Sequence, residues 1–363
     1  MLAITNVTFF ENSKPIEGRN VFVDKGKIIE IAGGEIPTNC EILDGKNGYL
    51  VSSFIDLQIY GSGGNLFSAF PTAETLAQME GDLFAKGTTG FLACVATNSS
   101  EVMKDSIKVA KAHRPVAKGF LGLHLEGPYL NAKRKGAHIA SYIKKATLDE
   151  VKELIDLAEG EIKMMTIAPE LQDDEVIRFL LDNKVVLSMG HSDATFEQAT
   201  EAYDKGIQTT THLFNAMPSI HHREPNLPTA FFNHETAMAS IIADGNHVNF
   251  EIIKMSHKLA GDRMFLITDT VTSCNVGPYQ HRLVGDKFVT ADGTLSGANI
   301  SLLQAVQNCV KHCGISIADA LAMASLHPAR LIKQDDVKGK VAIDYQSNLL
   351  LLDKSLNLMQ VLA

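Results

Sequence analysis

Residues Val185–Asn226 read VVLSMGHSDATFEQATEAYDKGIQTTTHLFNAMPSIHHREPN. Two β-favouring runs, of which the first is apolar, lie in this stretch and are separated by a segment of helical character. The first run, Val185–Met189, is followed by Gly and then His191, and the second run, Gln208–Thr211, leads directly into His212. Two strands joined through a helix run parallel, so their carboxyl ends lie on the same side of the sheet. The stretch therefore predicts two neighbouring imidazoles, which is the beginning of a metal site.

The composition is that of an ordinary globular protein, with 45% hydrophobic and 21% charged residues in a chain of 363. This length allows one large domain or two smaller ones. The net charge of −9 is offset by no Lys/Arg cluster, which argues against nonspecific nucleic-acid binding. The first residues lack the basic segment and apolar core of a signal peptide, and no apolar run reaches membrane-spanning length. We expect neither nucleic acid nor a membrane as a partner.

The cysteines are odd in number and scattered along the chain: Cys40, Cys94, Cys274, Cys309 and Cys313. This pattern is typical of reduced thiols and predicts a cytoplasmic protein. Cys309 and Cys313 stand four positions apart on a predicted helix, where core packing is favoured over a metal-binding pair.

The two ends of the chain have similar sequence patterns. Residues 1–50 read as short strands separated by Gly, Asn and Asp turns, including a Lys25–Gly26 turn. Residues 336–363 show the same pattern of short strands and turns. We expect both ends to build one small β-sandwich domain, with residues 51–335 forming a separate body.

Within residues 51–335, β-favouring runs alternate with amphipathic helices. The predicted strands are Leu50–Leu57, Thr89–Ala96, Gly119–Leu125, Lys163–Ala168, Val185–Met189, Gln208–Thr211, Met238–Ala243 and Met264–Thr268. The predicted helices are Ala73–Lys86, Glu101–His113, Leu148–Ala158, Asp174–Asn183, Thr195–Lys205, Phe250–Ala260, Ile300–His312 and Ile317–Ser325. Eight such alternations predict an α/β fold of the (β/α)₈ TIM-barrel type. The competing doubly wound open sheet is disfavoured because no G-x-G-x-x-G or P-loop pattern follows the first strand.

Polar residues recur at the carboxyl ends of the predicted strands, where the active sites of such barrels lie. They are Asp56, Gln58, Glu126, His191, His212, Asp244, His247 and Asp269. A random distribution would place carboxylates and imidazoles along strands and helices alike. Their concentration at one end is the strongest functional signal in the chain.

A Glu/His/His set emerges from these strand ends. On its own, Glu126 could equally cap a loop or neutralise a lysine, but together with His191 and His212 it matches the three protein ligands of a catalytic zinc site. Such a site leaves one position open for a water. The same ligands also accept iron, cobalt or manganese. His124, one layer deeper on the strand of Glu126, is interpreted as an interior histidine rather than a ligand.

Asp269 ends the eighth predicted strand, in FLITDTVTS. A carboxylate at this end of a metal-bearing barrel is suited to act as a general base and later as a general acid. The structural alternative is a helix N-cap, since Asp before Thr-Val-Thr-Ser also suits the start of a loop.

Further polar residues follow on the loops: His138, Asn215, Ala216, Arg223, His247 and the DGTLSGAN segment. Arg223, in HHREPN, is a candidate for binding an anion because a guanidinium matches phosphate geometry. A surface salt bridge between Arg223 and Glu224 explains the same residue equally well.

A known family shares these motifs. The segments FIDLQIYGSGG, HLEGPYLNAKRKGAH, GHSDAT, THLFNAM, HHREPN, ADGNHV, ITDTVTS, DGTLSGA and HPAR occur in order between positions 54 and 330. With them the chain resembles the amidohydrolase superfamily and, within it, the deacetylases of phosphorylated N-acetyl amino sugars. The terminal β segments also fit the small domain that flanks the barrel in this family.

The resemblance implies a function and a set of site residues. The reaction would be metal-dependent deacetylation of N-acetyl-D-glucosamine 6-phosphate to D-glucosamine 6-phosphate and acetate, in amino-sugar catabolism. One divalent metal ion per subunit, zinc in first place, would be held by Glu126, His191 and His212, with Asp269 as the catalytic acid/base. The matching substrate-binding positions are Ala137, His138, Asn215, Ala216, Arg223, His247, Leu295, Ser296 and Gly297. In family members the arginine reaches the substrate of the neighbouring subunit, which implies a homodimer.

One departure from the superfamily concerns the metal. Many members have His-x-His at the end of the first strand, where this chain has Gln58 and Tyr60. Neither is a usual zinc ligand, so we expect a single metal.

Three rival functions stay open. The nearest is the same chemistry on N-acetylgalactosamine 6-phosphate, which no residue excludes. A cyclic amidase is disfavoured because its two metals are usually bridged by a modified lysine, and no Lys ends the fourth run. A sugar-phosphate-binding regulator would need no general base.

Overall fold

Eight parallel strands form the central sheet of this protein, for which a computed structural model describes residues 1–362. In chain order, barrel strands 1 to 8 are Phe54–Ile59, Thr88–Ala96, Phe120–Glu126, Ile162–Ile167, Val186–Met189, Thr209–Thr210, Met238–Ile241 and Met264–Leu266. Each strand is hydrogen-bonded to the next strand along the chain. A sheet ordered strictly by sequence is what a (β/α)₈ fold requires.

The sheet closes between barrel strands 8 and 1. Ile59 and Thr270 form a parallel β-bridge. The backbone N–H of Asp269 donates to the Gln58 carbonyl, and the N–H of Tyr60 donates to the Thr270 carbonyl, both at 3.0 Å. These bonds join the first and last strands into a barrel, so the (β/α)₈ prediction is confirmed and the open doubly wound sheet is excluded.

Asp56 lies inside the barrel at this closure and is fully buried. Its carboxylate accepts from the hydroxyl of Thr268 at 2.5 Å and from the backbone N–H of the same residue at 3.2 Å. The backbone N–H of Gln58 donates to it as well. Burial raises the pKa of Asp56 from 3.8 to about 6, and the hydrogen bonds from Thr268 and Gln58 only partly oppose that rise. Asp56 thus ties strand 1 to the segment just after strand 8 through side-chain hydrogen bonds.

This raised pKa predicts a specific pH dependence of stability. The folded state binds the Asp56 proton more tightly than the unfolded state does, so protonation of Asp56 stabilises the fold. This contribution to the free energy of unfolding is fully present below pH 3.8 and is lost as the pH rises through about 6. Relative to wild type, Asp56→Asn should therefore gain about 2 to 3 kcal/mol of unfolding free energy between pH 4 and pH 7. Urea denaturation midpoints of both proteins across this range provide the measurement. Parallel pH profiles would show that Asp56 does not titrate there.

Ten α-helices lie in residues 1–362: Ala73–Phe84, Ser100–His113, Leu148–Ala158, Asp174–Asp182, Phe196–Asp204, Leu227–Asn233, Phe250–Ala260, Leu302–Cys313, Ile317–Ala324 and Leu326–Leu331. Two of these, Leu227–Asn233 and Leu326–Leu331, were not predicted. The first has Pro228 in its opening turn, where a missing N–H costs little, although a proline in sequence suggests a break. Short 3₁₀ turns occur at Arg114–Val116, Ala132–Arg134, Ala140–Tyr142, Pro169–Leu171 and Gly261–Arg263.

The predicted strand Leu50–Leu57 is wrong, because it merges two strands of different sheets. One strand ends at Ser52 and barrel strand 1 begins at Phe54. The N–H of Ser53 donates to Asn348 O at 2.9 Å, whereas the N–H of Phe54 donates to Gly87 O at 3.0 Å. The chain changes sheets within one residue, and an unbroken β-favouring run does not reveal that change.

Both chain ends contribute strands to one seven-stranded mixed sheet. Its strands are Leu2–Glu11, Lys14–Ile16, Asn20–Asp24, Lys27–Ala32, Glu41–Ser52, Leu349–Leu352 and Leu358–Leu362. Lys25 and Gly26 both have positive φ, 47° and 75°, as a two-residue hairpin turn requires. Two small hairpins lie elsewhere, Gly61–Ser62 with Asn65–Leu66 and Arg282–Val284 with Lys287–Val289.

The cysteines are all unpaired, and Cys309 and Cys313 are buried in the main core as the packing interpretation predicted. Within residues 1–362, no helix combines the length and the apolar character needed to cross a membrane.

Candidate active site

A cavity of about 160 Å³ opens at the carboxyl ends of the barrel strands. Of the predicted site residues, it is lined by Glu126, Ala137, His138, His191, His212, Asn215, Ala216, His247, Asp269, Leu295, Ser296 and Gly297. These residues come from seven separate parts of the sequence. The structure therefore brings every predicted site residue except Arg223 to one place.

Three ligand atoms converge at the floor of this cavity. His212 Nε2 lies 3.1 Å from His191 Nε2 and 3.1 Å from Glu126 Oε1. His191 Nε2 lies 3.4 Å from the same carboxylate oxygen. All three side chains are buried, and together they form a group suited to hold a metal ion.

The protonation pattern of the trio tests whether a cation fits. His191 Nδ1 is 2.8 Å from the Arg134 carbonyl, which can only accept, so Nδ1 carries the hydrogen and Nε2 presents a lone pair. His212 Nδ1 has no hydrogen-bond partner among the described residues. Two imidazole nitrogens and a carboxylate oxygen thus face one another at close range, where a divalent cation is the natural occupant. Glu126, His191 and His212 fit such a cation.

Several site residues adopt left-handed backbone conformations. His191, His212 and Asp269 have φ values of 48°, 35° and 53°. Such conformations cost a non-glycine residue about 1 kcal/mol or more and persist where the surroundings enforce them. Each residue stands just after the end of a barrel strand, so the turn directs its side chain into the cavity.

Gln58 and Tyr60 place hydrogen-bond donors beside Glu126. Gln58 Nε2 donates to Glu126 Oε1 at 3.0 Å and to Asp269 Oδ1 at 2.7 Å. The phenol of Tyr60 donates to Glu126 Oε2. Because N–H and O–H donors present positive charge, this side of the carboxylate does not suit a second cation. The arrangement supports the prediction of a single metal.

The two carboxylates of the site have opposite electrostatic surroundings. Burial alone would raise the pKa of Glu126, but the imidazoles of His138, His191 and His212 hold that pKa well below its usual range. Burial raises the pKa of Asp269 well above its ordinary value; His212 opposes this rise and the charge of Glu126 adds to it. Glu126 is therefore suited to remain an anionic ligand, and Asp269 to carry a proton.

His138 and His247 also face the cavity. His138 Nε2 lies 3.1 Å from Glu126 Oε2, and its Nδ1 lies 3.3 Å from the hydroxyl of Tyr279. His247 Nδ1 donates to Asp244 Oδ2 at 2.6 Å, which leaves Nε2 of that ring for a ligand.

His124 is an interior histidine, as predicted. It is fully buried, with Nδ1 2.9 Å from the Leu57 carbonyl and Nε2 2.7 Å from the Thr166 hydroxyl. Burial lowers its pKa to about 4, so the ring is neutral. With both nitrogens already bonded, His124 has no lone pair left for a metal.

Arg223 is exposed and does not line the cavity of its own chain. The alternative salt bridge to Glu224 is not formed within the described residues; the N–H of Glu224 donates to His221 Nδ1 at 3.2 Å instead. The guanidinium is thus available to a ligand outside this barrel.

Sequence reasoning missed several residues that line the cavity, notably Val271, Tyr279 and His281. Tyr279 donates its hydroxyl to the Thr97 carbonyl at 2.5 Å, and His281 Nδ1 lies 2.9 Å from the Ser296 hydroxyl. Tyr279 and His281 belong to an irregular segment before the strand Arg282–Val284, and no periodic pattern marks them.

Comparison with known proteins agrees with this geometry. Residues 49–362 match the model of the amidohydrolase family, and the chain belongs to that family. It is 33% identical over 329 residues to the N-acetylglucosamine-6-phosphate deacetylase of Haemophilus influenzae, which covers 87% of this chain and 86% of the relative. It is also 33% identical over 249 residues to the N-acetylgalactosamine-6-phosphate deacetylase of Escherichia coli O157:H7, which covers 66% of each chain.

Among solved structures, the crystal structure of N-acetylglucosamine-6-phosphate deacetylase from Pasteurella multocida superposes on this chain with a TM-score of 0.94 at 30% identity. The superposition covers 100% of this chain and 98% of the other. The likeness therefore extends over the terminal sheet as well as the barrel.

Proposed function

We propose that this chain hydrolyses the N-acetyl group of N-acetyl-D-glucosamine 6-phosphate, giving D-glucosamine 6-phosphate and acetate in amino-sugar catabolism. The observation that carries the proposal is the convergence of Glu126, His191 and His212 beside Asp269 in one buried cavity. The similarity to deacetylases of this substrate over most of the chain supports it.

The chemistry divides between the metal site and Asp269. A divalent cation held by Glu126, His191 and His212, zinc in first place, would activate a water and polarise the acetamide carbonyl. Asp269 accepts the proton of the attacking water and later donates it to the departing amine. Asp269 lines the same cavity as the Glu126–His191–His212 trio, where it can hold that proton between the two steps. Gln58 keeps the carboxylate oriented through its 2.7 Å hydrogen bond.

Negative charge develops on the acetamide oxygen as the water attacks. His138 and His247 both line the cavity and are the groups that stabilise this charge. Preorganised donors of this kind are typically worth about 3 kcal/mol each. Asp244 holds the ring of His247 in a single orientation through the 2.6 Å hydrogen bond to Nδ1.

The substrate phosphate requires a cation that the cavity of one chain does not supply. Arg223 is exposed and outside the cavity of its own chain, so we propose that it binds the phosphate in the neighbouring subunit of a homodimer. Asn215 and Ala216, at the cavity wall, would contact the substrate as well.

Arg223→Ala should raise KM roughly 10- to 100-fold with a small change in kcat, because a hydrogen-bonded ion pair with phosphate contributes about 1.5–3 kcal/mol. The exposed Arg178 gives the matched control, Arg178→Ala. Mixing Arg223→Ala subunits with Asp269→Asn subunits tests whether Arg223 acts in the site of the neighbouring subunit. If it does, each mixed dimer contains one site in which both Asp269 and Arg223 are intact. Activity that does not recover on mixing would place Arg223 in its own subunit's site.

The proposal is tested by metal analysis combined with acetate release on phosphorylated N-acetyl sugars. We expect one metal per chain and acetate release that a chelator abolishes. A ratio near two would contradict the single site, and affinity for substrate without acetate release would favour the sugar-phosphate-binding regulator.

Comparison of kcat/KM on N-acetylglucosamine 6-phosphate and N-acetylgalactosamine 6-phosphate shows which of the two epimers is the preferred substrate. Relatives of both specificities share 33% identity with this chain, so identity does not separate them. The cyclic amidase is disfavoured because barrel strand 4 is followed by Ala168, Pro169 and Glu170, none of which can become a bridging lysine. A cytoplasmic location stays a prediction from the cysteines.

A further inference from the structure

Glu170 lies in the 3₁₀ turn that follows barrel strand 4, beside the cavity but not lining it. Its carboxylate accepts hydrogen bonds from the loops that follow both neighbouring strands. Glu170 Oε1 accepts from Asn131 Nδ2 at 2.9 Å and from the backbone N–H of Asp193 at 2.8 Å. Glu170 Oε2 accepts from the Ser192 hydroxyl at 2.8 Å. One carboxylate thus joins the loop after strand 3 to the loop after strand 5.

These two loops carry residues of the proposed metal and substrate sites. Ser192 and Asp193 directly follow the ligand His191, and Asn131 begins the loop that leads to Ala137 and His138. The loops also contact each other, since the N–H of Asn131 donates to the His191 carbonyl at 2.9 Å. Glu170 lies at the junction of these contacts.

A chain of contacts leads from Glu170 to the imidazole of His191. Glu170 holds the backbone of Asp193, and the Asp193 carboxylate accepts from Arg134 Nε at 2.8 Å. The Arg134 carbonyl in turn accepts from His191 Nδ1 at 2.8 Å. This last bond determines which ring nitrogen of His191 faces the cavity and fixes the plane of the ring.

We propose that Glu170 is a positioning residue. It sets the orientation of the metal ligand His191 through the Asp193–Arg134 pair, and it keeps the loop that carries His138 in a fixed position relative to His191. The inference rests on the proposed metal-dependent function, because its consequence is the affinity for the metal. Partners that orient metal-bound histidines from outside typically contribute 10- to 100-fold to metal affinity or activity.

Zinc affinity of the purified metal-free protein, measured by competition with a chelator, tests the proposal. Glu170→Ala should weaken zinc binding roughly 10- to 100-fold. Glu170→Gln should restore most of the affinity, because its amide oxygen can accept from Asn131 and Asp193 while its amide nitrogen donates to Ser192. Glu175 is exposed on the adjacent helix, so Glu175→Ala is the matched control and should bind zinc as wild type does.

The melting temperature of the metal-free protein separates positioning from simple structural support. A Glu170→Ala protein that melts lower but binds zinc within twofold of wild type overturns the proposal. If that variant does not fold, Asp193→Asn takes its place, since it leaves Glu170 intact and weakens the contact with Arg134. Wild-type zinc binding in Asp193→Asn overturns the proposal, and weakened binding supports it.

The failure of this inference can be told apart from the failure of the proposed function. Wild-type protein that binds zinc but releases no acetate from N-acetylglucosamine 6-phosphate refutes the function alone. In that case the comparison of zinc affinities still decides whether Glu170 positions His191.

Discussion

Asparagine in place of Asp269 is expected to lower kcat by about 10³-fold, in the range typical of a general acid–base group, while the metal content stays at the wild-type level. The amide cannot take the proton of the attacking water, yet its oxygen can still accept the hydrogen bond that Gln58 makes to Asp269 Oδ1 at 2.7 Å. The geometry of the site is therefore preserved while the proton transfer is lost.

The measurement is kcat from acetate release together with metal analysis of the same sample. Asp156 is an exposed carboxylate far along another helix, and Asp156→Asn is the control, expected to behave as wild type. Loss of metal along with activity in the Asp269 variant would instead reassign Asp269 as a ligand.

Alanine in place of His212 is expected to abolish both metal binding and activity. His212 Nε2 is one of the three converging ligand atoms, 3.1 Å from each of its two partners. Its removal leaves only Glu126 and His191, so the loss of affinity should exceed the roughly 10- to 100-fold that an outer partner contributes. Metal analysis after dialysis, with acetate release in parallel, gives the result.

His222 provides the control for this second experiment. It is exposed on the loop after barrel strand 6, and His222→Ala should retain metal and activity. A His212→Ala protein that keeps a full complement of metal would show that the cation is held elsewhere, with His138 as the first residue to examine because its Nε2 lies 3.1 Å from Glu126.

The metal trio and Asp269 could be predicted because their positions follow from a simple rule. Each lies at the carboxyl end of a strand that is recognisable by its β-favouring run, and a parallel barrel collects these ends on one face. Gln58 could be predicted to lie there too, although its hydrogen bonds to two carboxylates could not, because they depend on side-chain distances across the barrel.

Other features depend on contacts between distant segments and could not be predicted. Tyr279 reaches the cavity because its hydroxyl donates to Thr97, a residue far away in sequence. Glu170 follows a strand that was noted only for lacking a lysine, and its importance lies in three partners on two other loops. The change of sheet at Ser53 likewise comes from the backbone bonds made to Asn348 and Gly87, which no local pattern encodes.

The seven-stranded sheet has a consequence for the synthesis of the chain. The strand Glu41–Ser52 pairs with Leu349–Leu352, a strand that is synthesised only after the whole barrel. During translation the edge of Glu41–Ser52 that pairs with it stays open to wrong partners until Leu349–Leu352 emerges from the ribosome. Removal of Leu349–Leu352 and Leu358–Leu362 would leave this edge permanently exposed, which is an aggregation hazard although every residue of the proposed active site is present.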